Sequence, residues 1–342
     1  PWWVCAIAWW AAIAFLGYRN IDLSSKVLGV FLVLEVLSVT ILDVAIIGTG
    51  GSEGLSLAPF SPSNFLSGVP GLGLMWAFFG FIGFEATAVF RNEAKDPEKT
   101  IPRATYIAVA FIALFYGFSG WCLVMGAGAD NALAFAQETQ DAYALELAAL
   151  YVGQWLYDVF QCLFACALAL HNVASRYTFT LSRVKVLPAR LGEVHSTHFA
   201  PSNASMSISI VSFALLAIVT IVGLDPLTVY AWFANTATLG LLILQMLTSV
   251  SVVVFFRRVV HGASIWRTLV APVAAAACLA FVASVVLSNF ADLTGDMMSA
   301  LVMGSLIPLS YLAGMAIAGR MKKNRPSDFS NLAILVSGQS AA

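Results

Sequence analysis

Glu85 is the residue of this sequence whose position is hardest to explain without a chemical role. It lies in segment 72–91, which is apolar and long enough to cross a bilayer, and Gly80 and Gly83 interrupt the same segment. A carboxylate near the centre of a bilayer costs about 2.5–3.5 kcal/mol on insertion scales, so an acid at that depth marks a candidate functional site. Paired glycines beside it predict a broken helix that exposes backbone groups.

Each of these residue types has two interpretations. Glu85 can carry a proton, or it can accept hydrogen bonds from amides that the break frees, and burial and a nearby cation act on its protonation in opposite directions. Gly80 and Gly83 can unwind the helix, or they can let helices pack closely. An unwound stretch survives in lipid only where it lines a cavity. From the glycines alone, the two interpretations stay equally open.

Two further acids lie in segment 25–47. Glu35, near its middle, is either a second proton carrier or a neutral carboxyl that bonds a neighbouring helix, and the second role is favoured. Asp43 lies near the outer end of the segment, where we expect it to reach water, so we discount it.

The elements that must position these residues are membrane-spanning helices. The chain has 342 residues, of which 60% are hydrophobic and 10% charged, whereas soluble domains carry roughly 25% charged residues. A helix needs about 20 mostly apolar residues to cross a bilayer. Nine segments qualify, at 1–17, 25–47, 72–91, 104–126, 154–182, 205–223, 227–256, 268–289 and 298–319. The composition predicts an all-α integral membrane protein.

The lysines and arginines test this topology independently, because cytoplasmic loops hold an excess of them. All 17 fall on one side of the predicted membrane, in alternate loops or in the span ends that adjoin them, and the charged residues of the intervening loops are all acidic. The pattern predicts one transmembrane domain, 1–320, followed by a cytoplasmic tail, 321–342. Nine spans then place Pro1 outside, which predicts an odd number of further spans ahead of it in a longer protein.

No motif points to a cofactor, a metal ion or nucleic acid. GxxxxGK followed by Ser or Thr does not occur in the sequence, nor does HExxH, which argues against a self-contained ATP-driven pump and against a membrane enzyme. Cys162 and Cys166 share a helix face without a third metal ligand. His171 is alone in segment 154–182, and we expect it to be solvated or hydrogen-bonded.

Four stretches resemble the amino acid, polyamine and organocation (APC) superfamily of permeases, and their order and spacing agree across essentially the whole chain. The likeness to the family's sixth helix, the following loop and the start of the seventh lies in GFIGFEATAVFRNEAKDPEKTIPRATYIAVAF. The others are ASRYTFTLSRVKVLPARLGEVHSTHFAPSNA for the eighth helix and the loop after it, GYRNIDLSSKVLGVFLVLE for the fourth to fifth junction, and LILQMLTSVSVVVFFRR for the end of the tenth.

This resemblance implies a LeuT-like fold of two inverted five-helix repeats, with substrate between the broken first and sixth helices. The nine segments correspond to helices four to twelve, so the first three have no counterpart here. The likeness assigns Phe79, Gly80, Ile82 and Gly83 to the unwound stretch, with carbonyls near Phe79 and Ile82 facing a substrate ammonium. It also places the Phe79 ring where an aromatic side chain closes over the substrate.

Segment 227–256 corresponds to the family's tenth helix, and its Trp232 and Asn235 are candidate site or gate residues in the outer half. The alternative is that they bridge helices, which is the more common role of such polar side chains. The outer loop 127–153 lies where related transporters place an external lid, although a plain surface loop fits it almost as well. Within this loop, 141–151 predicts a short helix capped by an acid.

The resemblance therefore implies a secondary amino acid permease of the cytoplasmic membrane that works by alternating access and is coupled to protons or to exchange. Its partners would be an amino acid or related organocation, protons and the lipid bilayer. The alternative hypothesis is a non-transporting remnant, or a structural membrane subunit that needs a second chain.

Overall fold

The computed structural model describes residues 2–19, 21–66, 68, 70–89, 96–162, 165–195, 200–258, 262 and 264–330. Throughout this part of the chain every regular element is helical, so the predicted all-α fold is confirmed. The α-helices are α1 (Trp2–Tyr18), α2 (Ile21–Thr49), α3 (Pro62–Leu66), α4 (Pro70–Gly80), α5 (Ala86–Val89), α6 (Pro97–Ala127), α7 (Ala132–Thr139), α8 (Tyr143–Tyr151), α9 (Gln154–Cys162), α10 (Ala165–Arg183), α11 (Ser202–Val222), α12 (Pro226–Arg258), α13 (Ala271–Ser288), α14 (Phe290–Thr294), α15 (Met297–Asn324) and α16 (Pro326–Ser330).

Six helical stretches among the described residues are long and apolar enough to cross a membrane, and they match six of the nine predicted spans. They are Lys26–Thr49, Pro97–Ala127, Ser202–Val222, Pro226–Arg258, Trp266–Ser288 and Met297–Asn324. Large apolar side chains point outward from them, with Leu114 75% and Ile221 83% exposed. Such surfaces suit lipid rather than water, and the protein is a multi-pass membrane protein.

The other three predicted spans are not among these six. α1 is apolar and has 17 residues, and segment 72–91 is split between α4 and α5. Segment 154–182 is described as α9 and α10, on either side of residues 163–164. Residues 90–91 and 163–164 of these segments lie outside the described residues, as does 331–342 of the predicted tail. The total of nine spans therefore stays a prediction.

Acidic residues begin two of the long helices on the side predicted to be outside. The Asp296 carboxylate accepts hydrogen bonds from the Ser299 N–H at 2.9 Å and the Ser299 hydroxyl at 2.6 Å. Asp225 accepts from the N–H and hydroxyl of Thr228, both at 2.8 Å. These bonds lower the pKa of both carboxyls. They satisfy N–H groups that the first turn of a helix leaves without partners.

The chain divides into two compact units. One comprises Pro1–Phe65, Gly83–Ala217 and Ser330–Ala342, and the other comprises Leu66–Ile82 and Ile218–Phe329. The chain therefore passes from the second unit to the first between Ile82 and Gly83, inside the interruption that separates α4 from α5.

In the first unit, the outer loop between α6 and α9 folds back as helices α7 and α8. Leu147 and Ala148 of α8 are fully buried in an apolar cluster with residues of α2 and α6. The hydroxyl of Tyr151 donates to the Gly126 carbonyl at 2.8 Å. The predicted helix is present, but its N-cap is Ala142, which makes no side-chain cap, and the interpretation as a plain surface loop is wrong.

A second contact in the first unit joins α1, α10 and α11. The His171 ring is 8% exposed, and its Nε2 lies 3.0 Å from the Ser205 hydroxyl, which is the hydrogen-bonded role predicted for it. Gly17 lies against the same ring, since a Cβ at Gly17 would be 2.5 Å from His171 Nε2. The absence of a side chain at Gly17 therefore allows this close approach.

The core of the second unit is formed mainly by α12, α13 and α15, together with α4 and α14. Its members share deep burial, and they include Met75, Leu239, Leu242, Val282, Val286, Phe290 and Met303. Helix α4, which ends at the interruption, therefore packs against this core through Met75, whose side chain is fully buried.

Replacing Gly17 by Ala is expected to lower the free energy of unfolding by about 1–3 kcal/mol, the usual cost of adding a methyl group to a filled site. The measurement is the melting temperature of the purified variant in detergent. Gly29→Ala is the matched control, because a Cβ there meets nothing within 4 Å. Equal melting temperatures for the two variants would contradict the close packing of Gly17 on His171.

Candidate functional site

The predicted interruption of segment 72–91 is present, and it lies at residues 81–85 between α4 and α5. The chain leaves α4 through tight turns, in which the Phe81 N–H donates to the Phe78 carbonyl and the Ile82 N–H to the Phe79 carbonyl, both at 3.0 Å. Phe79 and Gly80, which we had assigned to the unwound stretch, are instead the last residues of α4. The break is therefore displaced toward Glu85.

Gly83 has the backbone conformation that explains the break. Its φ is +113°, a region that residues with a side chain rarely adopt. A Cβ at Gly83 would meet nothing within 4 Å. The close-packing interpretation is therefore wrong for Gly83 within the described residues, and glycine is needed here for its backbone.

Glu85 accepts a hydrogen bond from an amide at the break, which is the structural one of its two predicted roles. Its Oε2 accepts a hydrogen bond of 2.9 Å from the Gly83 N–H, an amide that the break has separated from any helical carbonyl. Whether the carboxyl also carries a proton stays a prediction.

The short helix after the break is tied to its neighbour by two threonines. The hydroxyls of Thr87 and Thr105 lie 2.6 Å apart, and Thr87 also donates to the Phe84 carbonyl at 3.0 Å. This contact joins α5 to α6 at a point close in sequence to Glu85. It gives the C-terminal side of the break a fixed support.

Four backbone groups in the break make no short, well-aligned hydrogen bond among the described residues. They are the carbonyls of Phe81 and Ile82 and the N–H groups of Phe84 and Glu85. Of the two carbonyls predicted to face a substrate ammonium, that of Ile82 accepts no such bond, while that of Phe79 accepts from the Ile82 N–H. Carbonyls can bind a cationic group, and N–H groups can bind an anionic one.

Phe79 lies in an aromatic cluster within the second unit. Its ring is half-buried and meets Trp76 edge-to-face at 5.6 Å and Tyr230 at 6.2 Å. Edge-to-face pairs of this kind stabilise a defined ring orientation. Tyr230 was missed by sequence reasoning, although its place two residues before Trp232 was an available signal.

Trp232 and Asn235 both point at α14. The Trp232 indole N–H donates to the Thr294 carbonyl at 2.8 Å, and the Asn235 amide donates to the Leu293 carbonyl at 2.5 Å. Asn235 is 1% exposed. These contacts correspond to the bridging interpretation, and a role in binding or gating stays a proposal.

The two acids of α2 differ in their surroundings. Glu35 is half-buried. Asp43 is 1% exposed, so the expectation that it reaches water is wrong. Asp43 faces Ser119 of α6, and its neighbours Leu42 and Ile46 are buried in a cluster with α6 and α8, which sequence spacing alone did not reveal.

Comparison with known proteins gives a consistent result. The sequence pattern that defines the Amino acid permease family matches residues 1–327. The branched-chain amino acid permease of Bacillus subtilis is 26% identical over 255 residues, covering 72% of this chain and 50% of the relative. An uncharacterised transporter of Mycobacterium tuberculosis is 26% identical over 248 residues, covering 69% and 55%. Cationic amino acid transporter 7, chloroplastic, of Arabidopsis thaliana is 27% identical over 245 residues, covering 66% and 40%.

The chain spans about half the length of the curated relatives it matches. The family match, in contrast, extends over nearly all of this chain and includes the broken helix and the helices that support it. The chain therefore belongs to the amino acid permease family, a family of membrane transporters within the amino acid, polyamine and organocation superfamily.

Proposed function

We propose that this protein is a secondary amino acid transporter of the cytoplasmic membrane that works by alternating access. The observation that carries the proposal is the interruption at residues 81–85, where two carbonyls and two N–H groups make no short, well-aligned hydrogen bond to another described residue. In a bilayer such groups are tolerated only when they line a cavity or meet a solute. An amino acid brings both complementary charges, an ammonium and a carboxylate.

The Ile82 carbonyl is the proposed partner of the substrate ammonium, and Gly83 keeps the backbone open at that point. Phe79 is the proposed ring that excludes water from one side of the substrate. Trp232 and Asn235 are proposed to act on the substrate indirectly, by holding α14 in place through its carbonyls.

The substrate class is proposed from two supports. The relatives named above include a branched-chain amino acid permease and a cationic amino acid transporter, whose substrates differ in the side chain but share the α-amino and α-carboxyl groups. Backbone groups in the break suit those shared groups. The proposed substrate is therefore an α-amino acid.

Coupling to protons or to exchange is also part of the proposal, with Glu85 and Glu35 as candidate proton carriers. The two interpretations of Glu85 are compatible, because protonation would weaken the bond that its carboxylate accepts from the Gly83 N–H. A proton on Glu85 would then loosen the break itself. The excess of Lys and Arg in alternate loops supports a cytoplasmic C-terminus.

Purified full-length protein is expected to be stabilised by α-amino acids in a thermal-shift screen, because a ligand that binds the folded state raises its melting temperature. The panel contains leucine, valine, lysine and arginine, together with the matching amines and carboxylic acids. Losing either end group is expected to weaken binding about 10-fold or more, since a hydrogen bond to a charged group contributes about 1.5–3 kcal/mol. No stabilisation by any α-amino acid, combined with no uptake, would favour a non-transporting subunit.

Gly83→Ala is expected to reduce amino acid uptake at least 10-fold, because a residue with a side chain at φ of +113° is strained by about 1–3 kcal/mol. The measurement is uptake of radiolabelled substrate into vesicles, normalised to the amount of inserted protein. Gly73→Ala is the control, since a Cβ at Gly73 of α4 meets nothing within 4 Å. Equal uptake by both variants would contradict a role for the break.

Glu85→Gln separates the two roles of this residue, because Gln keeps an oxygen that can accept the Gly83 N–H but cannot titrate. The proton role predicts that Glu85→Gln inserts normally but loses most of its uptake. The structural role alone predicts normal uptake for Glu85→Gln and low uptake for Glu85→Ala. Undiminished, equally pH-dependent uptake by Glu85→Gln would exclude the proton role.

A further inference from the structure

Asp43 is a buried acid in the membrane-spanning part of α2, and sequence reasoning had set it aside. Its side chain is 1% exposed. The Ser119 hydroxyl of α6 donates to Asp43 Oδ2 at 2.6 Å. The other oxygen, Oδ1, is buried and has no hydrogen-bond partner among the described residues.

Two side chains of α6 interact with this carboxyl. They are Ser119 and Cys122, which lie three residues apart on one face of that helix. Leu42, next to Asp43, and Ile46, one turn further along α2, belong to a buried apolar cluster with Met125 of α6 and Leu147 of α8.

No basic residue forms an ion pair with Asp43 among the described residues. The ionisable groups on the helices packed against α2 are, besides Cys122, Tyr143, Glu146 and Tyr151 of α8, Tyr157 and Asp158 of α9, His171, Arg176, Tyr177 and Arg183 of α10, and Cys5 and Tyr18 of α1. The basic residue of α6 nearest to Ser119 in sequence is Arg103. It lies sixteen positions away, which corresponds to about 24 Å along a helix.

An ionised carboxylate in this place would be a buried charge with one neutral hydroxyl donor. Taking such a charge out of water costs several kcal/mol unless a cation or several donors compensate it. A proton removes the charge without requiring any other change, and Oδ1 is the atom left to receive it. The packed arrangement is therefore the one expected for a neutral Asp43.

Loss of that proton would require the carboxylate to be solvated. Leu147 and Ala148 of α8 are fully buried in the cluster that also contains Leu42 and Ile46, which lie directly before Asp43 and one turn after it on α2. Movement of α8 away from α2 and α6 would open this cluster to water next to Asp43. Protonation of Asp43 and the packing of α8 against α2 and α6 are therefore expected to favour each other.

We infer that Asp43, with Ser119 as its hydroxyl partner, is a proton-binding site on the outer half of this protein that couples proton entry to the packing of α8. The proton comes from outside water and forms an O–H bond at Oδ1, which changes the carboxyl from an anion to a neutral acid. The inference rests on the proposed transport function for its coupling role, but not for the protonation itself.

The first test measures transport by the full-length protein. Asp43→Asn keeps the size of the side chain and cannot titrate, so uptake is expected to lose its dependence on external pH. The number of protons that enter with each substrate is expected to fall by one. Asp225→Asn is the matched control, because Asp225 is exposed and Asn also accepts bonds at a helix start. An Asp43→Asn variant with the wild-type pH profile and proton ratio would overturn the coupling role.

The second test does not depend on transport. Infrared difference spectra of the purified protein at neutral pH are expected to contain a protonated-carboxyl band that Asp43→Asn removes and Ser119→Ala shifts. A band that persists unchanged in Asp43→Asn, or is absent from the wild type, would overturn the protonation of Asp43. If Asp43→Asn does not fold, the Ser119→Ala shift alone decides the point, and an unshifted band overturns the site. Absence of wild-type uptake with the band present would instead refute the proposed transport function.

Discussion

The hydrogen bond from the Gly83 N–H to Glu85 Oε2 is the interaction on which the interrupted helix depends. A bilayer offers no water to a backbone group that has left its helix, and each unsatisfied group costs several kcal/mol. Gly83 adopts a backbone conformation that ends the helix. The Glu85 carboxylate then accepts the hydrogen bond from the Gly83 N–H that a carbonyl of a continuous helix would otherwise accept. The acid that looked expensive in lipid is therefore part of what makes the break stable.

The same constraint governs the ends of the other helices. Carbonyls near the end of α6 accept from tyrosines of α8, and carbonyls of α14 accept from Trp232 and Asn235 of α12. In each case a long side chain satisfies a helix end that would otherwise lack a partner. These bonds also fix where the short helices α8 and α14 lie. The position of each short helix is therefore set by the same hydrogen bonds that give backbone carbonyls a partner.

The acidic residues differ in the hydrogen-bond donors that surround them, and three cases can be distinguished. Asp225 and Asp296 begin helices in exposed positions and stay ionised with lowered pKa values. Glu85 accepts a freed amide beside the break. Asp43 accepts from a single hydroxyl donor beside an apolar cluster. Because so few donors would stabilise its ionised form, we infer that it binds a proton.

The sequence by itself determined the all-α membrane class, the six long helices and the presence of a break near Glu85. These follow from hydrophobic length and from glycine, whose physical effects are local. Only the tertiary structure decided that the break starts after Gly80, that Trp232 and Asn235 hold α14, and that Asp43 is buried. Those outcomes depend on which groups meet across the fold, and the burial of Asp43 in particular depends on a loop that folds back as α8. Spacing along one helix carries no record of such contacts.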